Sequence, residues 1–330
     1  MFTLLKRKKS LKDIKAPIAE EMNQFEVHFK KSISSRVPLL DKISHYIAKR
    51  KGKQMRPMFV FFCAKLCGEV SNSTYEAATF VELMHTGSLV HDDVVDDANE
   101  RRGFFSINAL WKNKIAVLVG DYLLSRGPYL AMHNKEYKIF TIMTEAMEAI
   151  IEGELLQLEK ARRLDIDESL YFEVIKGKTA SLIAAACACG ASSVTKDEEM
   201  VKKMRLFGEK IGMAFQIKDD LFDFGTDDVG KPVGNDIKEK KMTLPLIYAL
   251  KNAPNSTKRK IIKIIKKNNN QPKKVAEVIE FVKSSGGLEY ATEVMYRFRS
   301  EAFDILAQFP ESMVKTALKE LVTYVTERKK

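Results

Sequence analysis

Residues 82–103 read ELMHTGSLVHDDVVDDANERRG. Apolar residues recur every three or four positions through Val95, the spacing of a helix. The stretch then turns acidic: Asp92, Asp93 and Asp96 form a DDxxD pattern. A second one, Asp219, Asp220 and Asp223, stands in FQIKDDLFDF (215–224). Residues four apart share a helix face, so the spacing places Asp92 above Asp96 and Asp219 above Asp223. Stacked carboxylates repel, and the repetition of that arrangement points to a divalent cation load. Oxygen-only ligands favour a hard ion. Mg²⁺ takes a few carboxylates and completes its shell with water and substrate phosphates. The two clusters therefore predict a phosphorylated substrate held between two helices.

The rest of the chain fits a helical protein. It has 330 residues, 45% hydrophobic and 30% charged, with only 9 prolines and 16 glycines. No apolar run reaches the roughly 18 residues that a membrane-spanning helix needs. The basic start, Lys6 to Lys9, lacks a signal-peptide core. Asp13, Glu20 and Glu21 weigh against a mitochondrial leader. The expected location is the cytoplasm. Net charge is +11, which on its own admits nucleic-acid binding. Much of the excess sits at Lys6 to Lys9 and in KRKIIKIIKKNNNQPKK (258–274), which reads as a solvated basic helix face followed by a polar loop, the alternative being a weak membrane-surface or anionic-substrate steering role. Cys63, Cys67, Cys187 and Cys189 fit neither a disulfide framework nor a zinc pattern, and read as reduced core residues.

Helices are expected over 57–68, 73–98, 105–118, 120–133, 136–161, 168–189 and 197–224, with further ones at both ends. Pro57 suits a helix start, Gly68 a C-cap, and Arg102-Gly103 a helix stop. Residues 225–235, GTDDVGKPVGN, carry too much glycine to be helical. The fold class is all-α, one helical-bundle domain over 1–330.

Cations appear where a diphosphate needs them. Arg101 and Arg102 follow the first cluster, and arginine forks suit phosphate oxygens. Gly52-Lys53-Gln54-Met55-Arg56-Pro57 places two cations before a helix N-terminus, a natural anion site. His85 lies on nearly the face of Asp92. Gln216 shares a stripe with Asp219 and Asp223. Lys231 sits in the glycine-rich loop, and Lys241 follows Asp236. Lys178-Thr179 sits in a small-residue helix, where a lysine needs an anionic partner.

These stretches, GKQMRP (52–57), ELMHTGSLVHDDVVDDANERRG (82–103), GKTASL (177–182), FQIKDDLFDF (215–224), GKPVGND (230–236) and KMTLPL (241–246), resemble the trans-prenyltransferases, or isoprenyl diphosphate synthases. They occur in that family's order. The resemblance implies the isoprenoid-synthase helical bundle with a central active-site cavity, and a homodimer that does not bind nucleic acid. It implies that Asp92, Asp93, Asp96, Asp219 and Asp223 bind Mg²⁺, three ions per site, with Asp220 acting at one remove. Arg101, Lys178 with Thr179, Lys231 and Lys241 would hold an allylic diphosphate, oriented by Gln216. Gly52, Lys53, Arg56, His85 and Arg102 would hold isopentenyl diphosphate. Catalysis would rest on Asp92, Asp93, Asp96, Lys178, Asp219 and Lys231. The chain departs from the family pattern at Gln54 and Lys240, where arginine and glycine are common.

In this family a bulky residue a turn before the first cluster stops elongation. Gly87 and Ser88 are small, and Val81 is only moderately bulky. This implies an open tunnel, with Leu123, Leu124 and Met147 as its candidate lining, and a hexa- to octaprenyl product that serves as a quinone side-chain precursor. The alternatives are a farnesyl or geranylgeranyl synthase, and a non-catalytic partner subunit. Gly87 also admits a pure packing role.

Overall fold

The computed structural model describes residues 10–50, 52–101, 103–161, 164, 167–225 and 233–328. Helices dominate: α1 (Leu11–Lys15), α2 (Ala19–Ile33), α3 (Pro38–Lys49), α4 (Met55–Cys67), α5 (Asn72–Val95), α6 (Ile107–His133), α7 (Tyr137–Ala161), α8 (Glu168–Ile175), α9 (Ser181–Ser192) and α10 (Glu198–Phe222). Then follow α11 (Asn235–Lys238), α12 (Leu244–Lys251), α13 (Asn255–Lys267), α14 (Pro272–Ser284), α15 (Gly287–Ala307) and α16 (Met313–Glu327). The expected all-α class holds.

Two compact units divide the chain, and neither is continuous. The first comprises Met1–Glu145, Leu182–Arg205 and Phe309–Leu318, and the second Ala146–Ser181, Leu206–Gln308 and Lys319–Lys330. In the first unit Phe25, Phe59, Phe61 and Phe62 are fully buried, each contributing about 1.5–3 kcal/mol of transfer free energy. Beside them α5 lies tightly on α6. A Cβ on Gly87 would come 2.8 Å from Leu124 Cγ, and one on Gly127 would come 2.3 Å from Phe80 Cδ2. In the second unit Tyr171, Ile217, Leu221, Phe224 and Leu244 belong to one buried cluster.

Four expectations need correction. The helices read as 105–118 and 120–133 form a single run, interrupted at Lys112 (φ 74°, ψ 159°) rather than beside Gly120. Gly120 stays helical because its missing Cβ admits the His91 ring, which would otherwise sit 2.2 Å away. Arg101 and Gly103 do not merely stop a helix. Glu100–Arg101 (β1) pairs antiparallel with Phe104–Phe105 (β2), Arg101 opposite Phe104. Gly103, at φ 77°, supplies the left-handed conformation that so tight a turn requires. The 168–189 helix is interrupted by a π-turn at Lys176–Ala180. Lastly, α10 ends at Phe222, so Asp223 lies just past the helix.

Glu168–Ser192 is long and apolar enough to cross a membrane, but 72% of that apolar window is buried inside the protein, as in a core helix. Cys63, Cys187 and Cys189 are buried free thiols, while Cys67 is half-buried. Burial pushes the Cys67 thiol up to about 12.

Candidate active site

Both aspartate clusters occupy the carbonyl end of a helix. Asp92 and Asp93 stand in the last turn of α5. Asp96 follows as its C-cap, its amide donating to the Asp92 carbonyl at 2.8 Å. Asp219 and Asp220 stand in the last turn of α10. That end of a helix carries partial negative charge, so carboxylates there raise the energy of the folded chain unless a cation is supplied. Asp92 and Asp96 are exposed, while Asp93 is only 4% exposed. Among the described residues no three His, Cys, Asp or Glu side chains come together as a closed metal-binding group. Carboxylates this open fit an ion that takes the rest of its shell from water and phosphate oxygens.

Beside the first cluster lies a cleft of about 120 Å³, lined among others by Gly52, Gln54, His85 and Asp93. Arg56 Nη1 donates to His85 Nε2 at 2.9 Å. An arginine has only donors, so Nε2 accepts and the ring's own N–H is on Nδ1. Gln54 adopts the left-handed region (φ 52°) at the start of α4. Lys53 is exposed. Sequence reading missed Arg50, which lines the same cleft. Its guanidinium stacks 3.6 Å from the Tyr46 ring centroid and 4.4 Å from that of Phe104. Its position two residues before Gly52 and the four-residue spacing from Tyr46 are the local signals of the role; the second aromatic partner, Phe104, comes from elsewhere in the chain.

The second cluster is a hydrogen-bonded assembly. Asp220 is 1% exposed. Its Oδ2 accepts from Tyr171 Oη at 2.7 Å; its Oδ1 accepts from Gln216 Nε2 at 2.9 Å and from Lys241 Nζ at 2.8 Å. Gln216 Oε1 in turn accepts from Thr179 Oγ1 at 2.7 Å. Tyr171 was not expected from sequence; its position seven before Lys178 is the only trace. Burial works against the Lys241 ammonium, but Asp220 and Asp236 outweigh it and raise its pKa. Burial raises Asp236 to about 7, with Lys241 opposing and Asp220 and Asp223 adding to the rise.

Other expected residues are also engaged. The Asp223 carboxylate accepts from the amides of Asn235 at 2.8 Å and Asp236 at 3.1 Å. Burial raises its pKa, and those amides partly offset the effect. Asp219 pairs with Arg328. Lys178 finds the anion its setting demanded in Glu154, at 2.5 Å. It is carried by the π-turn, a feature common at functional sites. That turn meets α7 through two glycines: a Cβ on Gly153 would lie 2.7 Å from the Lys178 amide, and one on Gly177 2.8 Å from the Ala149 carbonyl. Ser88 is half-buried on α5. Arg102 and Lys231 lie outside the described residues, as does the side chain of Arg101.

A family model described as polyprenyl synthetase matches residues 37–282. The chain is 34% identical over 319 residues to an all-trans-nonaprenyl-diphosphate synthase (geranyl-diphosphate specific) of Rhodobacter capsulatus, covering 96% of this chain and 97% of that one. It is similar, at TM-score 0.89 and 30% identity, to a polyprenyl synthase from Caulobacter crescentus complexed with calcium and isoprenyl diphosphate, covering 98% and 100% of the two chains. It is also similar, at TM-score 0.81 and 38% identity, to a geranylgeranyl pyrophosphate synthase from Bacteroides thetaiotaomicron, covering 97% and 99%.

Proposed function

Since the chain belongs to the polyprenyl synthetase family and is a trans-prenyltransferase, we propose that it condenses isopentenyl diphosphate with farnesyl or geranylgeranyl diphosphate in a Mg²⁺-dependent reaction. The product is a long-chain all-trans polyprenyl diphosphate, a quinone side-chain precursor. The observation that carries this reading is the paired placement of DDxxD clusters at the carbonyl ends of α5 and α10.

Asp92, Asp93, Asp96 and Asp219 would hold three Mg²⁺ ions. Asp223 would join them on release of its two amide bonds. When bound, Mg²⁺ neutralises negative charge growing on the departing diphosphate. The cations Arg101, Lys178 and Lys231 bind that diphosphate, Lys178 after leaving Glu154. Half-buried Lys241 acts through Asp220, holding it and, with it, Gln216 in place. Gly52, Lys53, Arg56, His85, Arg102 and, we add, Arg50 bind isopentenyl diphosphate, with His85 donating from Nδ1. The allylic C–O bond breaks, the isopentenyl double bond attacks the resulting cation, and a proton leaves to the released diphosphate. The apolar surroundings keep out the water that would quench the cation.

Gly87 and Ser88 are the positions where a larger side chain would shorten the product, Gly87 by way of Leu124. A homodimer would cover the apolar side chains that α6 exposes at Leu118 and Tyr129 and α7 at Ile151, Leu155 and Leu158. The enzyme is cytoplasmic, and the basic face of α13 makes weak contact with an anionic membrane surface as product is released.

The test is labelled isopentenyl diphosphate with farnesyl diphosphate and Mg²⁺, with products resolved by chain length. A ladder beyond about 30 carbons supports the long-chain reading. A stop at 15 or 20 carbons favours the short-chain alternative, which the 38% identity to a geranylgeranyl pyrophosphate synthase keeps in view. Absence of incorporation by the folded protein refutes both.

A further inference from the structure

A second cavity, of about 1030 Å³, lies wholly in the second unit and contains none of the residues assigned above to metal or substrate, although Lys258 and Lys266 belong to the basic stretch of α13. Its walls come from α8, α12 and α13. The floor is apolar, with Phe172, Ile247, Leu250 and Ile262. One rim is basic. Lys258, Ile262 and Lys266 are spaced four apart along α13, so they present one face, and Lys251 ends α12 beside them. No ion pair engages these three lysines among the described residues.

The contrast within the same basic stretch is informative. Lys260 and Lys274 both pair with Glu277, at 2.5 and 2.8 Å. Two acids line the cavity as well, and both are already committed. Asp167 caps α8, accepting from the Leu170 amide at 2.9 Å, and Glu168 accepts from the Tyr290 hydroxyl. The rim thus offers three cations that no carboxylate pairs with among the described residues, above a floor that gains from losing water.

The geometry points to a non-catalytic binding site for a phosphorylated single-chain amphiphile. The lysines Lys251, Lys258 and Lys266 take the phosphate head, and the hydrocarbon chain lies on Phe172, Leu250 and Ile262. The site does not rest on the synthase reading, because binding can be read without turnover.

The test uses 1-dodecyl phosphate, which lacks an allylic leaving group. Its binding is measured by calorimetry on the full chain with Mg²⁺ and pyrophosphate saturating. One equivalent is expected to bind. The triple variant Lys251→Glu, Lys258→Glu, Lys266→Glu should weaken it at least about tenfold while isopentenyl incorporation stays at the wild-type rate. Ile262→Asp, which keeps all three lysines, should weaken it as well. Unchanged affinity in the triple variant would overturn the site. So would displacement by inorganic phosphate at equal concentration, which would mean that the head alone is recognised. Parallel titrations with farnesyl monophosphate and lysophosphatidic acid identify an isoprenoid or a glycerolipid source by which binds more tightly.

Discussion

Asp220 and Lys241 form an ion pair at 2.8 Å between a carboxylate 1% exposed, its remaining oxygen held by Tyr171, and a half-buried ammonium. The middle aspartate of the second cluster is therefore a support for Lys241 and Gln216, while its neighbour Asp219 pairs with Arg328. Removing Lys241 from its pair strands the Asp220 charge away from water. Lys241→Met should cost about 3–5 kcal/mol in urea denaturation. Adding Asp220→Asn should recover part of that loss, and a double variant no more stable than Lys241→Met would show that the pair is not coupled.

Tyr171→Phe deletes one donor to the same buried carboxylate. A loss of about 1–3 kcal/mol is expected, together with weaker Mn²⁺ binding followed by electron paramagnetic resonance. Wild-type stability in this variant would mean that water replaces the hydroxyl.

Asp92→Ala and Asp219→Ala should each lower turnover by at least about 10²-fold, with circular dichroism unchanged. Chelation of divalent ions should abolish activity reversibly. Full activity in either variant would remove that residue from the metal-binding set.

Asp236 gives a pH signature. Burial lifts its carboxyl to about 7, well above the usual aspartate range. The folded chain thus keeps a proton that the unfolded chain loses near pH 4, and the stability this group supports falls as pH rises from about 4 to 7. Asp236→Asn should reduce that fall by roughly 2–4 kcal/mol in metal-free denaturation at pH 4.5 and 7.5. Identical pH dependence in variant and wild type would assign the titration elsewhere.

Gly87→Ala should destabilise by about 1–3 kcal/mol, because the new methyl meets Leu124 Cγ at 2.8 Å. Gly87→Tyr should shorten the product. Pairing it with Leu124→Ala should restore both stability and length, and a product distribution that ignores both changes would confine Gly87 to packing.

The sequence by itself determined the all-α class, since three- and four-residue apolar spacing is a local property of each helix. It also located both carboxylate clusters, because a DDxxD pattern is read from contiguous residues, although Asp96 caps α5 and Asp223 lies past α10 rather than inside the helices. The Lys178–Glu154 partnership was foreseeable in kind, as a lysine among small apolar residues needs an anion. Only the tertiary structure decided what depends on other segments: that Asp220 is buried against Tyr171 and Lys241, that Asp223 turns to the amides of Asn235 and Asp236, and that Gly87 faces Leu124. The π-turn at Lys178 and the break at Lys112 belong to the same class. The π-turn goes with the close approach of α7 at Gly153 and Gly177, a distance that no local pattern of residues encodes.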